Sequence, residues 1–486
     1  MGRMRESLRC CAAATVLAAV LVWAAVVPMS SEAAEPGIGA PGVGDRFYPH
    51  AGNGGYQVDR YRLSLAYDPA EDVLDGHARI VGVTKQRLRR FDLDFRGMRV
   101  KSLRVAGRSA RFRRRGQELI VRPQDPLGRG ERLRVDVRYG GTPEPIDYPL
   151  LGQIGWIATD DGAFVASEPT GAPTWFPCSD HPSDKATYRF RLEVPRGTIA
   201  VANGRLLGMQ TNRTSSIYRW KESAPMATYL ATVNIGKGPL TDGAWGDLPF
   251  WNFVDSRESG PAQPALDKLE SIIRTEEDLF GPYPFDSAGL IVDHDVDYPA
   301  ALETQTRPLF AGQPILSTVA HEIGHQWFGN SVSVHRWRDV WLNEGFAEFA
   351  TWLWLERTGQ ESAQKLFDDF YENGEKIFGE KLWNPPPAHP GTRRGLFSFS
   401  IYTRGAMTLQ ALRTTLGDRV FFRIIRKWVR VNRYGNAAVA DFTAFTERES
   451  GLDLDRFFHQ WLEKEGKPQW PLPVEAVDLV NRKVPR

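Results

Sequence analysis

Along residues 56–238, hydrophobic and polar side chains alternate with a period of two. The segment YRLSLAYD, at residues 61–68, has an apolar side chain at every second position, and LRVDVRY and YRFRLEV repeat the pattern. Alternation interrupted by Gly, Pro and Asp is typical of half-buried β-strands. The pattern therefore predicts an antiparallel β saddle or sandwich, which we assign to residues 47–240.

After about residue 240, apolar positions recur every three or four residues instead. The segments ALDKLESIIRTEEDLFG, ILSTVAHEIGHQWFG, LNEGFAEFATWLWLERTG and TRGAMTLQALRTTLG have this period and end at glycine. Such spacing gives an α-helix one apolar face, and glycine commonly ends a helix. With SAGLIVD as a short strand, the pattern predicts a mainly α domain at residues 241–466 and an α+β fold. The Pro-rich residues 467–486 form a C-terminal tail.

The first 33 residues have the composition of a secretory signal peptide. Arginines in MGRMRESLR precede the apolar run CCAAATVLAAVLVWAAVVPM, and residues 31–33 fit a small-x-small cleavage site. The run is nearly long enough to span a bilayer, so an uncleaved membrane anchor is the alternative. We expect cleavage and secretion, with membrane association only if the segment is retained.

Residues 34–46 are rich in Gly and Pro and contain GIGAPG. A dinucleotide-binding loop of this pattern follows a strand and opens a helix, and neither is predicted here. We therefore interpret the segment as a flexible linker.

Composition adds few constraints. The 486 residues are 42% hydrophobic and 25% charged, with a formal net charge of +2. This balance is ordinary for a globular protein of two or three domains and gives no reason to expect a nucleic-acid partner. Once the leader is removed, Cys178 is the one remaining cysteine, which excludes an internal disulfide.

The segment HEIGHQWFGNSVSVHRWRDVWLNEGFAE, at residues 321–348, contains candidate metal ligands. His321 and His325 are four residues apart and therefore share one face of a helix. Glu344 begins the next predicted helix, after enough chain to reverse direction. Two imidazoles and one carboxylate leave a fourth position open on a zinc ion, as a catalytic site requires.

Glu322 follows His321 directly, which places it beside such an ion. Zinc would lower the pKa of water at its open position and polarise a carbonyl, while Glu322 would pass the water's proton to a leaving amine. These functions predict amide hydrolysis with one zinc ion per chain. A chance HExxH helix is the alternative, but an unpartnered buried Glu344 would be costly.

HEIGHQWFGN followed by WLNEGFAEF resembles the aminopeptidase N family of zinc metallopeptidases, gluzincins that include bifunctional epoxide hydrolase/aminopeptidases. The family motif is HExxH, eighteen residues and Glu, and the spacing here agrees with it. The resemblance implies that His321, His325 and Glu344 bind zinc and that Glu322 is the general base. It also implies a thermolysin-like catalytic domain after the β saddle, in a short form that lacks the family's C-terminal helical domain.

Three further segments support the resemblance. YTRGAMTLQAL resembles the segment whose tyrosine stabilises the oxyanion, which implies this role for Tyr402. AALETQT resembles Gly-x-Met-Glu-Asn, whose glutamate binds the substrate's α-amino group. This implies that role for Glu303, although Thr304 departs from the motif and an exposed loop glutamate is the alternative. ASEPTGAPTWFPCSDHPSDKA resembles a stretch of the β domain and places Glu168 where a Gln or Glu helps to bind the amine.

The family often has a second carboxylate seven residues after the ligand glutamate, and this chain has Thr351 there. Glu348 lies four residues after Glu344 and shares its helical face. We expect Glu348 or Asp339 to orient a zinc-bound imidazole. A solvated helix glutamate is the alternative.

Together these features predict a secreted, monomeric zinc aminopeptidase that acts on peptides with a free N-terminus. An epoxide hydrolase, which the same zinc site supports in some relatives, is one alternative. A catalytically inactive, peptide-binding homologue is another. Glu322 and Tyr402 argue against the inactive homologue, because folding requires neither.

Overall fold

The computed structural model describes residues 37–149, 151–294, 296, 298 and 301–471. The predicted signal peptide and most of the predicted C-terminal tail lie outside these residues. Among the described residues, no helix is both long and apolar enough to span a membrane. The described chain is one compact unit in which a β-rich half precedes a helical half.

The β-rich half consists of strands, as the alternation predicts, and the first α-helix in the described chain begins at Ser259. In chain order the strands are β1 (Tyr56–Asp68), β2 (Val73–Thr84), β3 (Phe91–Asp94), β4 (Arg99–Val105), β5 (Arg108–Ser109), β6 (Arg111–Arg115), β7 (Glu118–Arg122), β8 (Arg132–Gly141), β9 (Ile146–Tyr148), β10 (Gly152–Ala158), β11 (Ala163–Ala166), β12 (Ala186–Pro195), β13 (Ile199–Ala202), β14 (Arg205–Thr211), β15 (Ser215–Met226) and β16 (Val233–Gly236).

Within the described residues, eight of these strands form one sheet in the order β14-β15-β12-β1-β2-β8-β4-β5. Its neighbours are antiparallel except β1 and β12, which are parallel. Two further sheets have the orders β13-β16-β11-β10-β9 and β3-β7-β6. The predicted N-terminal domain of mainly antiparallel strands is therefore confirmed, with one parallel pair inside it. Glu168 follows the end of β11 by two residues.

The helical half contains a small mixed sheet and helices at the predicted positions. The strands of this sheet are β17 (Leu240–Trp245), β18 (Leu248–Val254), β19 (Ile291–Asp293), β20 (Ala301–Leu302) and β21 (Leu309–Ala311), in the order β17-β18-β19-β21-β20. Strands β22 (Ser333–Val334) and β23 (Asn436–Ala437) form a separate parallel pair. The helices of this half are α1 (Ser259–Phe280), α2 (Leu316–Gly324), α3 (Trp341–Arg357), α4 (Ala363–Phe378), α5 (Gly405–Leu416), α6 (Asp418–Val431), α7 (Val439–Ser450) and α8 (Asp455–Phe458). The described part of the chain also contains π-helical turns at Ser400–Arg404 and His459–Glu463.

Helix α3 forms the centre of this half. Its side chains are buried on nearly every face, which explains why its sequence is apolar almost throughout. A methyl group on Gly345 would lie 2.9 Å from the Cα of Gly405, so α3 and the start of α5 approach as closely as backbones allow. This contact brings the chain around Glu344 next to the chain around Tyr402.

The Gly/Pro-rich segment packs against both halves, so the flexible-linker prediction is wrong for residues 37–46. Asp45 is only 1% exposed and accepts hydrogen bonds from the N–H groups of Phe47 at 2.7 Å and Trp337 at 2.9 Å. His181 Nε2 donates to the same carboxylate at 3.3 Å. We call Asp45 and these three donors the Asp45 junction. The pattern missed it because its partners come from both halves of the chain.

Lys185 makes a second connection between the halves. Its side chain is buried, and Nζ donates to the carbonyl oxygens of Asn330 at 2.8 Å, Ser331 at 3.0 Å and Gly435 at 3.3 Å. All three N–H groups of the amino group thus have acceptors in the helical half. This contact fixes the start of β12 against the segments that follow α2 and α6.

Candidate active site

The three predicted metal ligands meet between α2 and α3. His321 lies in the last turn of α2, His325 caps its C-terminus, and Glu344 lies in the first turn of α3. One oxygen of Glu344 is 3.5 Å from His321 Nε2 and 3.3 Å from His325 Nε2. The three ligand atoms all lie within 4.8 Å of one another, as a shared ion requires.

The chemistry of these side chains fits zinc. His325 Nδ1 lies 3.0 Å from the carbonyl oxygen of Phe328. A carbonyl can only accept, so Nδ1 carries a proton and Nε2, which faces Glu344, is the nitrogen left to bind an ion. Two imidazoles and a carboxylate form the ligand set of many catalytic zinc sites.

Of the two residues expected to orient an imidazole, the structure brings only Glu348 to the site. Glu348 Oε2 is 3.6 Å from His321 Nδ1, while its other oxygen accepts a hydrogen bond from Trp352 Nε1 at 2.9 Å. Asp339 instead accepts from the N–H of Val439 at 3.2 Å and contacts neither imidazole among the described residues, so its predicted role is wrong. The imidazole of His325 is oriented by a backbone carbonyl.

Tyr402 lies over His321, with ring centroids 5.9 Å apart and planes inclined by 19°. It belongs to the π-helical turn Ser400–Arg404, a feature common at functional sites that a helical period cannot predict. Arg404 anchors this turn through hydrogen bonds to the carbonyls of Trp461 at 2.9 Å and Lys464 at 2.7 Å. Burial, reinforced by carboxylates such as Glu344, raises the pKa of Tyr402 well above its ordinary value. The phenol therefore remains a hydrogen-bond donor at neutral pH.

Four glutamates converge beside the imidazoles: Glu168, Glu303, Glu322 and Glu344, which we call the cleft cluster. They line a cavity of about 360 Å³. Oxygens of Glu168, Glu303 and Glu344 lie within 4.8 Å of one another. Glu168 and Glu303 are 5% and 2% exposed, and in each the Oε1 atom has no hydrogen-bond partner among the described residues. Glu303 is therefore buried at this cavity and is not the exposed loop glutamate of the alternative.

Burial and mutual repulsion control the ionisation of the cleft cluster. Burial, reinforced by neighbouring glutamates, raises the pKa of Glu168 well above its ordinary value, and burial also raises the pKa of Glu303. Burial raises the pKa of Glu322 to about 7, although both histidines oppose it. Burial would raise the pKa of Glu344 too, but the charge of His325 and hydrogen bonds from both imidazoles lower it to about 2. The excess of carboxylates favours cations at this site.

Sequence reasoning missed several residues of the site. Tyr298 and Leu151 line the cavity with Glu168, and no motif marks them. Gln326 and Asn330 lie inside the segment HEIGHQWFGN and are fully buried. Their amides were a detectable signal, because a buried amide in an apolar segment requires partners.

Comparison with known proteins agrees with this geometry. Residues 57–230 match the Peptidase M1 N-terminal domain, and residues 300–461 match the Peptidase family M1 domain. The chain is 25% identical over 440 residues to probable aminopeptidase 2 of Sulfurisphaera tokodaii, covering 85% of this chain and 54% of that protein. It is 27% identical over 330 residues to aminopeptidase M1 of Arabidopsis thaliana, covering 63% of this chain and 37% of that one. The chain therefore spans about half the length of these relatives, or less.

Solved structures cover the chain more completely. An M1 zinc metallopeptidase from Deinococcus radiodurans has a TM-score of 0.81 and 27% identity, covering 89% of this chain and 99% of that one. A mutant of that enzyme bound to a Tyr-Ser-Ala substrate also has a TM-score of 0.81, with 28% identity and coverage of 89% and 100%. Both neighbours contain the two halves described above.

Proposed function

Because the chain belongs to peptidase family M1, we propose that it is a zinc-dependent aminopeptidase that hydrolyses the first peptide bond of peptides with a free N-terminus. One observation carries the proposal. The cleft cluster places the incompletely partnered carboxyl groups of Glu168 and Glu303 beside the His321–His325–Glu344 triad. The triad accounts for hydrolysis, and the two carboxyl groups account for recognition of an amine.

His321, His325 and Glu344 would hold the zinc ion. Zinc, when bound, lowers the pKa of a water molecule and polarises the carbonyl of a substrate. Phe328 and Glu348 contribute by orienting the imidazoles, because a ligand histidine whose second nitrogen is fixed loses less freedom on binding.

Glu322 is the general base and acid of the proposed reaction. Its carboxylate accepts a proton from the attacking water as the water oxygen bonds to the carbonyl carbon. The same proton then passes to the leaving nitrogen as the C–N bond breaks. Tyr402 donates a hydrogen bond to the carbonyl oxygen while negative charge develops there.

Glu168 and Glu303 bind the α-ammonium group of the peptide. An ammonium has three N–H donors and no acceptor, which suits two buried carboxyl groups with unfilled acceptor atoms. Its positive charge also relieves repulsion within the cleft cluster. Because both glutamates have fixed positions relative to the triad, only the first peptide bond reaches Glu322.

The test is hydrolysis of matched substrates by the zinc-loaded protein. We expect cleavage of alanine p-nitroanilide, no measurable cleavage of its N-acetyl form, and activity that a chelator removes and zinc restores. Equal rates for both substrates would contradict the amine-binding role of Glu168 and Glu303. A protein that opens an epoxide but releases no amino acid would contradict the aminopeptidase proposal.

We also propose that residues 1–33 direct export and are then removed. This proposal rests on the composition of the N-terminal segment, which lies outside the described residues. Sequencing the N-terminus of the exported protein should give Ala34 as the first residue. An intact N-terminus in the membrane fraction would favour the anchor instead.

A further inference from the structure

Glu303 belongs to the loop between β20 and β21, residues 303–308, which is held in place by contacts from the β-rich half. Asn203 Nδ2 donates to the carbonyl of Gln305 at 2.8 Å, and the N–H of Gly204 donates to Thr306 Oγ1 at 2.8 Å. Thr306 has a φ of 67°, a left-handed conformation that a β-branched residue rarely adopts. The loop therefore keeps a strained shape only because its surroundings impose it.

The second set of contacts comes from the residues that follow the metal-binding histidines. Gln326 is fully buried; its Oε1 accepts from the N–H of Thr306 at 2.8 Å, and its Nε2 donates to the carbonyl of Glu303 at 3.2 Å. Asn330 Nδ2 donates to the same carbonyl at 2.6 Å. Gln326 directly follows His325, so one side chain joins the amine-binding loop to the histidine segment.

We propose that Gln326 is a positioning residue that sets the distance between Glu303 and the metal-binding histidines. The inference rests on the aminopeptidase function proposed above. A primary amide suits this task because it offers both a donor and an acceptor. Here the donor binds Glu303 and the acceptor binds Thr306, so one side chain connects the two ends of residues 303–306. Through this distance, Gln326 restricts cleavage to substrates whose amino group is on the α-carbon.

The geometric sensitivity of catalysis supports this role. A misplacement of about 1 Å by a residue remote from the reaction can cost about 100-fold in rate. A β-amino substrate has its ammonium one methylene farther from the scissile carbonyl, and a fixed Glu303 excludes it. If the Glu303 loop lost its hydrogen bonds to Gln326, Glu303 would discriminate less between α-amino and β-amino substrates.

The test compares alanine p-nitroanilide with β-alanine p-nitroanilide in the zinc-loaded full chain. Gln326→Glu keeps an acceptor for Thr306 but turns a carboxylate oxygen toward the Glu303 carbonyl. We expect the ratio of kcat/KM for the α-substrate over the β-substrate to fall at least about tenfold. Gln410→Glu is the matched control, because Gln410 is 4% exposed and its Nε2 donates to Gln364 at 2.8 Å, within the helical half. The control should leave the ratio unchanged.

A second readout does not depend on turnover. Calorimetry would measure binding of alanine amide and N-acetylalanine amide to Glu322→Gln protein, with and without Gln326→Glu. We expect Gln326→Glu to reduce the preference for the free amine. If Gln326→Glu does not fold, Gln326→Met lacks both hydrogen-bonding groups and allows the same comparison.

The outcomes separate this inference from the proposed function. An unchanged α/β ratio in a folded Gln326 variant, with a fall in Tm like that of Gln410→Glu, would show that Gln326 only stabilises the fold. A wild-type protein that does not distinguish free from acetylated amines would instead overturn the aminopeptidase proposal itself. A lower ratio with a normal zinc content would support the positioning role.

Discussion

The Asp45 junction and the cleft cluster bury acidic side chains equally well but satisfy them differently. Asp45 is 1% exposed and Glu168 is 5% exposed, yet only Glu168 has an oxygen without a partner among the described residues. Burial would raise the pKa of Asp45, but hydrogen bonds from His181, Trp337 and Phe47 lower it to about 2. Burial raises the pKa of Glu168 well above its usual value, because no comparable donors oppose it. The presence or absence of donors, and not the degree of burial, therefore accounts for the opposite pKa shifts of Asp45 and Glu168.

The largest effect should follow a change in the cleft cluster. We expect Glu322→Gln to lower kcat by about 10²–10⁴-fold, because an amide cannot accept the proton of the attacking water. The Tm should stay the same or rise, because one of four crowded carboxyl groups loses its charge. Steady-state kinetics, calorimetry and zinc analysis would measure these effects. Loss of zinc with the activity would show that Glu322 supports metal binding instead.

A change in the Asp45 junction should lower stability and leave catalysis unchanged. We expect Asp45→Asn to lower the unfolding free energy at pH 7 by about 2 kcal/mol, since each pKa unit corresponds to about 1.4 kcal/mol. The kcat of the folded protein should not change. Urea unfolding and kinetics on the same preparations would test both statements. A large loss of kcat would show that Asp45 also supports catalysis and that its role is not purely structural.

The pH dependence of this variant sharpens the test. The pKa of Asp45 is about 2 in the folded protein, below the ordinary value of 3.8. Its contribution is therefore fully present above pH 3.8 and is lost as the pH falls toward 2. The stability difference between wild type and Asp45→Asn should roughly halve between pH 7 and pH 3. A difference that does not depend on pH would mean that packing, and not ionisation, is responsible.

The smallest effect should follow a change at Glu348, which borders the cleft cluster and is partly exposed. We expect Glu348→Gln to weaken zinc binding about tenfold, because His321 loses a charged neighbour at 3.6 Å. Competition with a chelating dye would measure the affinity. Glu356→Gln is the control, because Glu356 is on the same helix but pairs with Arg413 at 2.9 Å. Equal affinities in both variants would favour the solvated-glutamate alternative.

Local patterns were enough to predict the order of the two halves and the zinc triad. The period of burial defines each strand or helix, and a spacing of four places His321 and His325 on one face whatever surrounds them. The resemblance to known metallopeptidases then supplied Glu303, Glu168 and Tyr402, which lie outside the segment 321–348 that contains the triad. The structure brings all of them to one cavity.

The remaining features depend on contacts between distant residues. Besides its neighbour Phe47, Asp45 accepts hydrogen bonds from His181 and Trp337, which are 136 and 292 residues away in sequence. No local pattern distinguishes it from an acidic residue in a linker. The same reason explains the error at Asp339, because its partner Val439 lies 100 residues farther along the chain.

Lys185 has a consequence for the rigidity of the molecule. Rotation of the two halves apart would break the three hydrogen bonds of its buried amino group. We therefore expect the two halves to move together, so that the cleft adjusts to a ligand through the loops and side chains that line it.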